Sequence, residues 1–161
     1  MDRIIVSACL LGHPVRYNGR AKDVDSPHLR RWQAEGRLVA ACPELLAGFP
    51  VPRPPAEIVG GDGAAVLDRR ARVVERGGVD VTAAFVAGAA ALVALAEAAG
   101  ARFAVLTEPS PSCSSREVHD GSFGGSLRPG RGVAAAALVR AGVAVFTLND
   151  LDVLAGLLLD R

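Results

Sequence analysis

The sequence predicts an α/β fold, an open parallel sheet with helices on both faces. Short apolar runs rich in β-branched residues recur along the chain and read as strands buried on both faces. Between them lie segments with helix start and stop signals, and strands alternating with helices imply parallel pairing. The cysteines add a third observation: Cys9 and Cys42 stand at the ends of the first two runs, and Cys113 follows the third.

In chain order, RIIVSACL (3–10) and RLVAACPEL (37–45) are the first two strands, each closed by polar or Pro/Gly punctuation. SPHLRRWQAEG (26–36) between them is a helix, with Ser26 as N-cap, Pro27 at the first helical position and Gly36 as the stop. AAVLDRRARVVERGG (64–78) alternates apolar and polar around a charged centre, which predicts a hairpin or a pair of edge strands. DVTAAFVAGAAALVALAEAAG (80–100) is apolar almost all round, capped by Asp80 or Thr82 and ended by Gly100, and predicts a long buried helix. RFAVLTEP (102–109) is the third strand, HDGSFGGSLRPGRG (119–132) a Gly-rich loop, and VAAAALVRAG (133–142) a helix. VAVFTL (143–148) is the fourth strand, and NDLDVLAGLLLD (149–160) a last helix capped by Asn149.

With 161 residues, half of them apolar, the chain suffices for one domain, residues 1–161, and leaves little for a second. A net charge of +1 with scattered charges lacks the basic stripe that nucleic-acid binding needs, and argues against such a partner. The N-terminal apolar run carries no secretory pattern, and the stretch Val81 to Ala96 falls short of the ~20 residues of a membrane span. No membrane association and a cytoplasmic location are therefore expected. In that reducing compartment three cysteines, an odd number, read as free thiols or metal ligands rather than a disulfide framework.

In EPSPSCSS (108–115), Pro109 and Pro111 exclude helix and are expected to hold the segment extended and rigid, presenting Cys113 in a set direction. The carboxyl ends of parallel strands converge on the crevice where ligands bind. Three thiols 33 and 71 positions apart are thereby expected to meet at one point. Three readings stay open. A structural zinc needs a fourth ligand, for which His119, His13 and His28 are the candidates. Three thiolates with no fourth ligand suit a four-iron, four-sulfur cluster with one iron left open. Alternatively Cys113 is a nucleophile assisted by His119, as in a thiol hydrolase or sulfurtransferase.

The fragments SACLLGHPVRYNG, CPELLAGFPVPRPPAEI, GVDVTAAFVAGA, AVLTEPSPSC, HDGSFGG and GRGV stand in an order and spacing that resembles the thiouracil desulfidase family over nearly the whole chain. The resemblance implies a Rossmann-like single domain and a 4Fe-4S cluster held by Cys9, Cys42 and Cys113. Its open iron takes the sulfur of a thiolated uracil, a small-molecule partner that is hydrolysed to uracil and sulfide without net redox change. It also implies active-site roles for Glu44, the Glu of CPE, and for Ser110, the first Ser of SPSC. On this basis Glu44 activates the attacking water, and Ser110 and Ser112 orient the base edge. Arg53 either pairs with Glu57, the preferred reading, or meets a substrate phosphate. The loop 119–132 offers amides that would cradle such a phosphate. Two positions depart from the family pattern: Val15, where a further Cys is common, and Ser114, where Gly is. The second raises a question of backbone geometry, because Gly allows φ > 0 and Ser rarely does.

Overall fold

The computed structural model describes residues 1–22 and 24–159 of the chain. Its strands are β1 (Arg3–Ser7), β2 (Leu38–Ala41), β3 (Ala56–Val59), β4 (Arg72–Glu75), β5 (Ala101–Val105), β6 (Glu117–His119), β7 (Leu127–Pro129) and β8 (Ala144–Phe146). Its α-helices are α1 (Pro27–Ala34), α2 (Pro43–Leu46), α3 (Gly63–Leu67), α4 (Thr82–Ala99), α5 (Val133–Arg140) and α6 (Leu151–Leu159). Two short 3-10 helices, Ala8–Leu11 and Leu148–Asp150, complete the regular elements.

β2, β1, β5 and β8 form one parallel sheet in that order, with β1 paired to β2 from Ile4↔Leu38 and to β5 through Ile4↔Phe103. Successive side chains on a strand point to opposite faces. Ile4, Val6, Phe103 and Val105 pack with Leu29 and Trp32 of α1 and Leu151, Leu154 and Leu158 of α6. Ile5 and Ala104 pack instead with Phe85, Ala89 and Leu92 of α4 and Ala134, Ala135 and Leu138 of α5. The expected α/β architecture, a parallel sheet with helices on both faces, is thus present. From β1 the chain crosses one way to β2 and later returns to the other side of β1 with β5. The β1/β5 boundary is therefore the topological switch point, where a crevice opens at the carboxyl ends.

Several local expectations differ. Residues 64–78 form α3 and then β4, and β4 pairs antiparallel with β3, a strand in the Pro-rich segment that periodicity does not reveal. Asp62 caps α3 by accepting from Ala65 N at 3.0 Å, so the first half of the alternation is one helical face. The Gly-rich segment is a hairpin of β6 and β7 rather than a free loop. Thr147, not Asn149, starts the last helical segment, in a reciprocal cap with Asp150. α6 ends at Leu159, and Asp160 lies outside the described residues. At 18 residues α4 has the length and composition of a membrane span, beyond the shorter stretch expected. Its stripe of Phe85, Gly88, Ala89, Leu92 and Ala96 is buried against the rest of the protein, the pattern of a core helix.

Candidate metal centre

Three strand ends build the site. β1 stops at Ser7, two residues before Cys9, and the chain turns into a 3-10 helix closed by Gly12 at φ 88°. Ser7 Oγ accepts from Thr107 N at 3.0 Å and ties the end of β1 to the segment leaving β5. β2 runs out into Cys42 at the N-cap position of α2, where Pro43 enforces the turn. Cys113 follows β5 in a tight turn. Cys9 and Cys113 are buried, Cys42 is half-buried, and all three are free thiols. They line a single cavity of about 340 Å³ together with Glu44, Ser110, Arg53, Thr107 and His119.

The turn carrying Cys113 is not extended as the two prolines suggest. Ser110 O accepts from Ser114 N at 3.2 Å. Ser110 Oγ accepts from Ser112 N at 3.1 Å and from Cys113 N at 3.0 Å. Ser114 Oγ accepts from Ser110 N at 2.7 Å. Ser114 is not among the residues with positive φ, so the departure from Gly is accommodated and its hydroxyl braces the turn. Gly132, at the start of α5, lies so close that a Cβ there would stand 2.8 Å from Cys113 N. Gly88 does the same for the Cys42 segment, since its Cβ would meet Pro43 O at 2.3 Å. Two helices thus press backbone to backbone on the loops that carry two of the thiols.

Arg53 pairs with Glu44, not with Glu57. Its Nε donates to Glu44 Oε1 at 3.0 Å, and its terminal nitrogens donate to Pro50 O at 3.2 Å and Val15 O at 2.9 Å. With a side chain only 3% exposed, Arg53 is committed to this cradle. Val15, the other departure, contributes its carbonyl to the cradle and packs beside the Cys9 cluster of the core. Glu57 instead accepts from Gly121 N at 3.0 Å and Phe123 N at 3.1 Å. Asp120 and Ser122 take the amides of Ser122 and Gly124. The amides of Gly121, Ser122, Phe123 and Gly124 in the expected phosphate cradle are therefore engaged within the protein. Ser112, expected at the base edge, is buried outside the cavity lining, and its carbonyl accepts from Ala135 N at 3.0 Å.

Burial raises the pKa of the Cys9 thiol, and the nearby positive charges of Lys22 and Arg16 oppose that rise. Burial also lowers the pKa of Lys22, with help from Arg16; its Nζ donates to Glu108 O. Cys113 is pushed far up by burial, with the charge of Glu44 adding to the effect. The charge of Cys42 also raises the pKa of Cys9, and those of Cys42 and Cys9 raise that of Cys113. A thiol held this strongly protonated is a poor free nucleophile, whereas coordination to a metal deprotonates it outright.

Among the described residues no three of His, Cys, Asp and Glu are arranged to hold a single metal ion. Thiolates on one zinc ion bond at about 2.3 Å and so must crowd together. Thiolates on separate irons of a cluster need no such crowding. Thr107 Oγ1 is buried at the cavity without a partner of hydrogen-bond geometry, though near enough to Cys9 to lower its pKa. A hydroxyl this close to the Cys9 thiol suits a sulfur acceptor, which is the kind of contact that tunes iron–sulfur centres. Of the histidines, His28 bonds Asp152 at 2.7 Å and stacks on Trp32, and His13 is exposed away from the cavity. His119 lines the cavity with a buried Nδ1 that has no partner.

Sequence reasoning did not single out Thr107, Tyr17, Arg76 or Phe123, which also line the cavity. Thr107 alone carried a signal, as the residue directly before the loop that bears Cys113.

A family model described as 2-thiouracil desulfurase matches residues 4–150. The chain belongs to this 2-thiouracil desulfurase family. It is 44% identical over 149 residues, 92% of this chain and 97% of the other, to the uncharacterized protein YbbK of Bacillus subtilis (strain 168). A solved structure of the 4Fe-4S-dependent thiouracil desulfidase TudS superposes with a TM-score of 0.90 at 45% identity, covering all of both chains. The desulfurase family is one of enzymes, and the parallel sheet described above is the architecture of that solved member.

Proposed function

We propose that this chain hydrolyses a thiolated uracil to uracil and sulfide, using a 4Fe-4S cluster held by Cys9, Cys42 and Cys113. The observation that carries the reading is the convergence of three thiols, from the ends of three adjacent parallel strands, on one cavity that also holds a carboxylate. The donor set fits: three free thiols from three strand ends line one cavity, with the Thr107 hydroxyl beside Cys9. When bound, the cluster supplies an open iron, a Lewis acid that draws electron density from the C–S bond of the substrate.

The chain's own residues supply the proton chemistry. Glu44 Oε1 is occupied by Arg53, so Oε2 is the atom left to take a proton from the attacking water. Water oxygen bonds to the thiocarbonyl carbon, the C–S bond breaks with its electron pair on sulfur, and Glu44 returns the proton to the departing sulfide. The second water proton passes to solvent as the carbonyl of uracil forms, and the sulfur departs as hydrosulfide. Ser110 Oγ already accepts two amide protons, so its own proton is free to be donated to the base edge. Arg53 serves as a positioning residue for Glu44 rather than as a substrate contact. The substrate reading covers 2- and 4-thiouracil and thiouridine monophosphate. A 5′-phosphate would meet Arg16, which lines the cavity, and not the hairpin amides. Residues 1–161 are read as a single desulfidase domain working in a reducing cytoplasm, a reading supported by one sheet bearing both core clusters and by three unpaired thiols.

The test is iron and acid-labile sulfide per chain after anaerobic reconstitution, for wild type and for Cys9→Ser, Cys42→Ser and Cys113→Ser, followed by sulfide release from thiouracils. Near-stoichiometric cluster lost in every variant is the expected result. A colourless protein that carries zinc, or activity that needs Cys113 but not Cys9, would refute it.

A further inference from the structure

Phe123 has φ 58°, in the left-handed region that a bulky side chain seldom enters. Such a conformation persists only where the surroundings over-determine it, and it concentrates at ligand clamps. Here the surroundings are specific. Glu57, buried on β3, accepts from the amides of both Gly121 and Phe123, at 3.0 and 3.1 Å. Gly121 lies against β3 so closely that a Cβ would stand 2.7 Å from Ile58 O. The guanidinium of Arg76 sits 5.7 Å from the centre of the Phe123 ring. The antiparallel pair β3–β4 therefore fixes a strained aromatic residue, and that residue is half-buried in the cavity that holds the three thiols.

Resting on the desulfidation reading, we propose that Phe123 is the stacking platform for the pyrimidine ring, with Arg76 covering the aromatic pair by cation–π contact and Glu57 as the positioning residue. A planar π-system gains from stacking on an aromatic side chain whichever base it is. A cation over the ring adds to the stack. The platform selects by flatness: a conjugated thiouracil lies against it, while the puckered ring of a 5,6-dihydrothiouracil does not, although both present the same thiocarbonyl.

The experiment compares reconstituted wild type with Phe123→Tyr, Phe123→Leu and Phe123→Gly. For 2-thiouracil, KM is expected to rise about tenfold in the Leu and Gly variants, with kcat within about twofold, and Tyr to retain wild-type KM. The preference for 2-thiouracil over its dihydro analogue should narrow in the same two variants. Phe123→Gly removes the backbone strain, so a residue that only braced the loop would change thermal stability and leave KM alone. Unchanged KM and unchanged preference in both variants, with sulfide release intact, overturns the proposal. If wild type releases no sulfide from any thiouracil, the desulfidation reading fails and equilibrium dialysis of uracil decides the stacking. Retention weakened about tenfold by Phe123→Gly supports it. Equal retention, or none by wild type, overturns it.

Discussion

Replacing Arg53 by methionine keeps the aliphatic stem and deletes the guanidinium. Three contacts go at once: Glu44 Oε1 at 3.0 Å, Pro50 O at 3.2 Å and Val15 O at 2.9 Å. The arginine side chain is 3% exposed and that of Glu44 15%, so water replaces the lost partners poorly. Breaking a buried pair from one side costs about 3–5 kcal/mol, much of it the penalty of an uncompensated charge. The two orphaned carbonyls add about 1 kcal/mol each, and the buried methionine stem offsets a similar amount. The net loss is about 3–5 kcal/mol, a fall in Tm of roughly 6–20 °C for a domain of this size. Thermal and urea unfolding followed by far-UV circular dichroism measure it. Glu44→Gln keeps an acceptor for Arg53 Nε and should cost far less. The double variant should show a coupling of at least about 1 kcal/mol. A loss below about 1 kcal/mol for Arg53→Met, or no coupling to Glu44→Gln, would refute the claim that this pair holds the carboxylate in place.

Gly132→Ala would set a Cβ 2.4 Å from the carbonyl carbon of Ser112, where only backbone can yield. We expect a loss of about 1–3 kcal/mol and reduced iron content after reconstitution. Gly156→Ala, in α6 with nothing within 4 Å of the added methyl, should instead stabilise by about 0.5–1 kcal/mol. Urea titration separates the two, and equal effects would contradict the packing argument. The backbone N–H of Thr147 lowers the pKa of Asp150, with further help from the Thr147 hydroxyl and Arg116. A depressed carboxylate stabilises the fold above its unfolded pKa, and that contribution fades as pH falls through the folded one. The stability gap between wild type and Asp150→Asn should therefore be flat from about pH 8 to 5 and close below about pH 4, as measured by denaturation across that range. A gap independent of pH would count against it.

The main sheet was legible because its strands read as short apolar runs, deeply buried in the central β1 and β5 and less so in the edge strands β2 and β8. RIIVS, LVAA and ARFAV needed no partner to be recognised. The site's scaffold was legible for a related reason: the chain marks the end of each strand with Cys9, Cys42-Pro43 or the Pro-Ser-Pro turn, and topology brings those ends together. What failed was chemistry decided by contacts distant in sequence. Arg53 lies four residues from Glu57 and nine from Glu44, yet the carbonyls of Pro50 and Val15 fix its guanidinium toward Glu44. Glu57 is drawn to amides more than sixty residues away. β3 hides behind Pro54 and Pro55 because its pairing with β4, rather than its own periodicity, makes it a strand. The Pro109–Pro111 segment turns instead of extending because serine hydroxyls offer its amides a closer partner than solvent.

β1 lies at the centre of the sheet, and its pairing Ile4↔Phe103 joins residues 99 positions apart. A ribosome adding 5–20 residues per second needs about 5–20 s to bridge that distance. Throughout that interval the apolar edge of β1 that will receive β5 has no strand to meet. Cys9 and Cys42 are synthesised well before Cys113, so a nascent chain offers two of the proposed ligands first and the third late. On the proposed ligand set, all three thiolates exist together only once residue 113 has emerged, so the order of synthesis places completion of the site late.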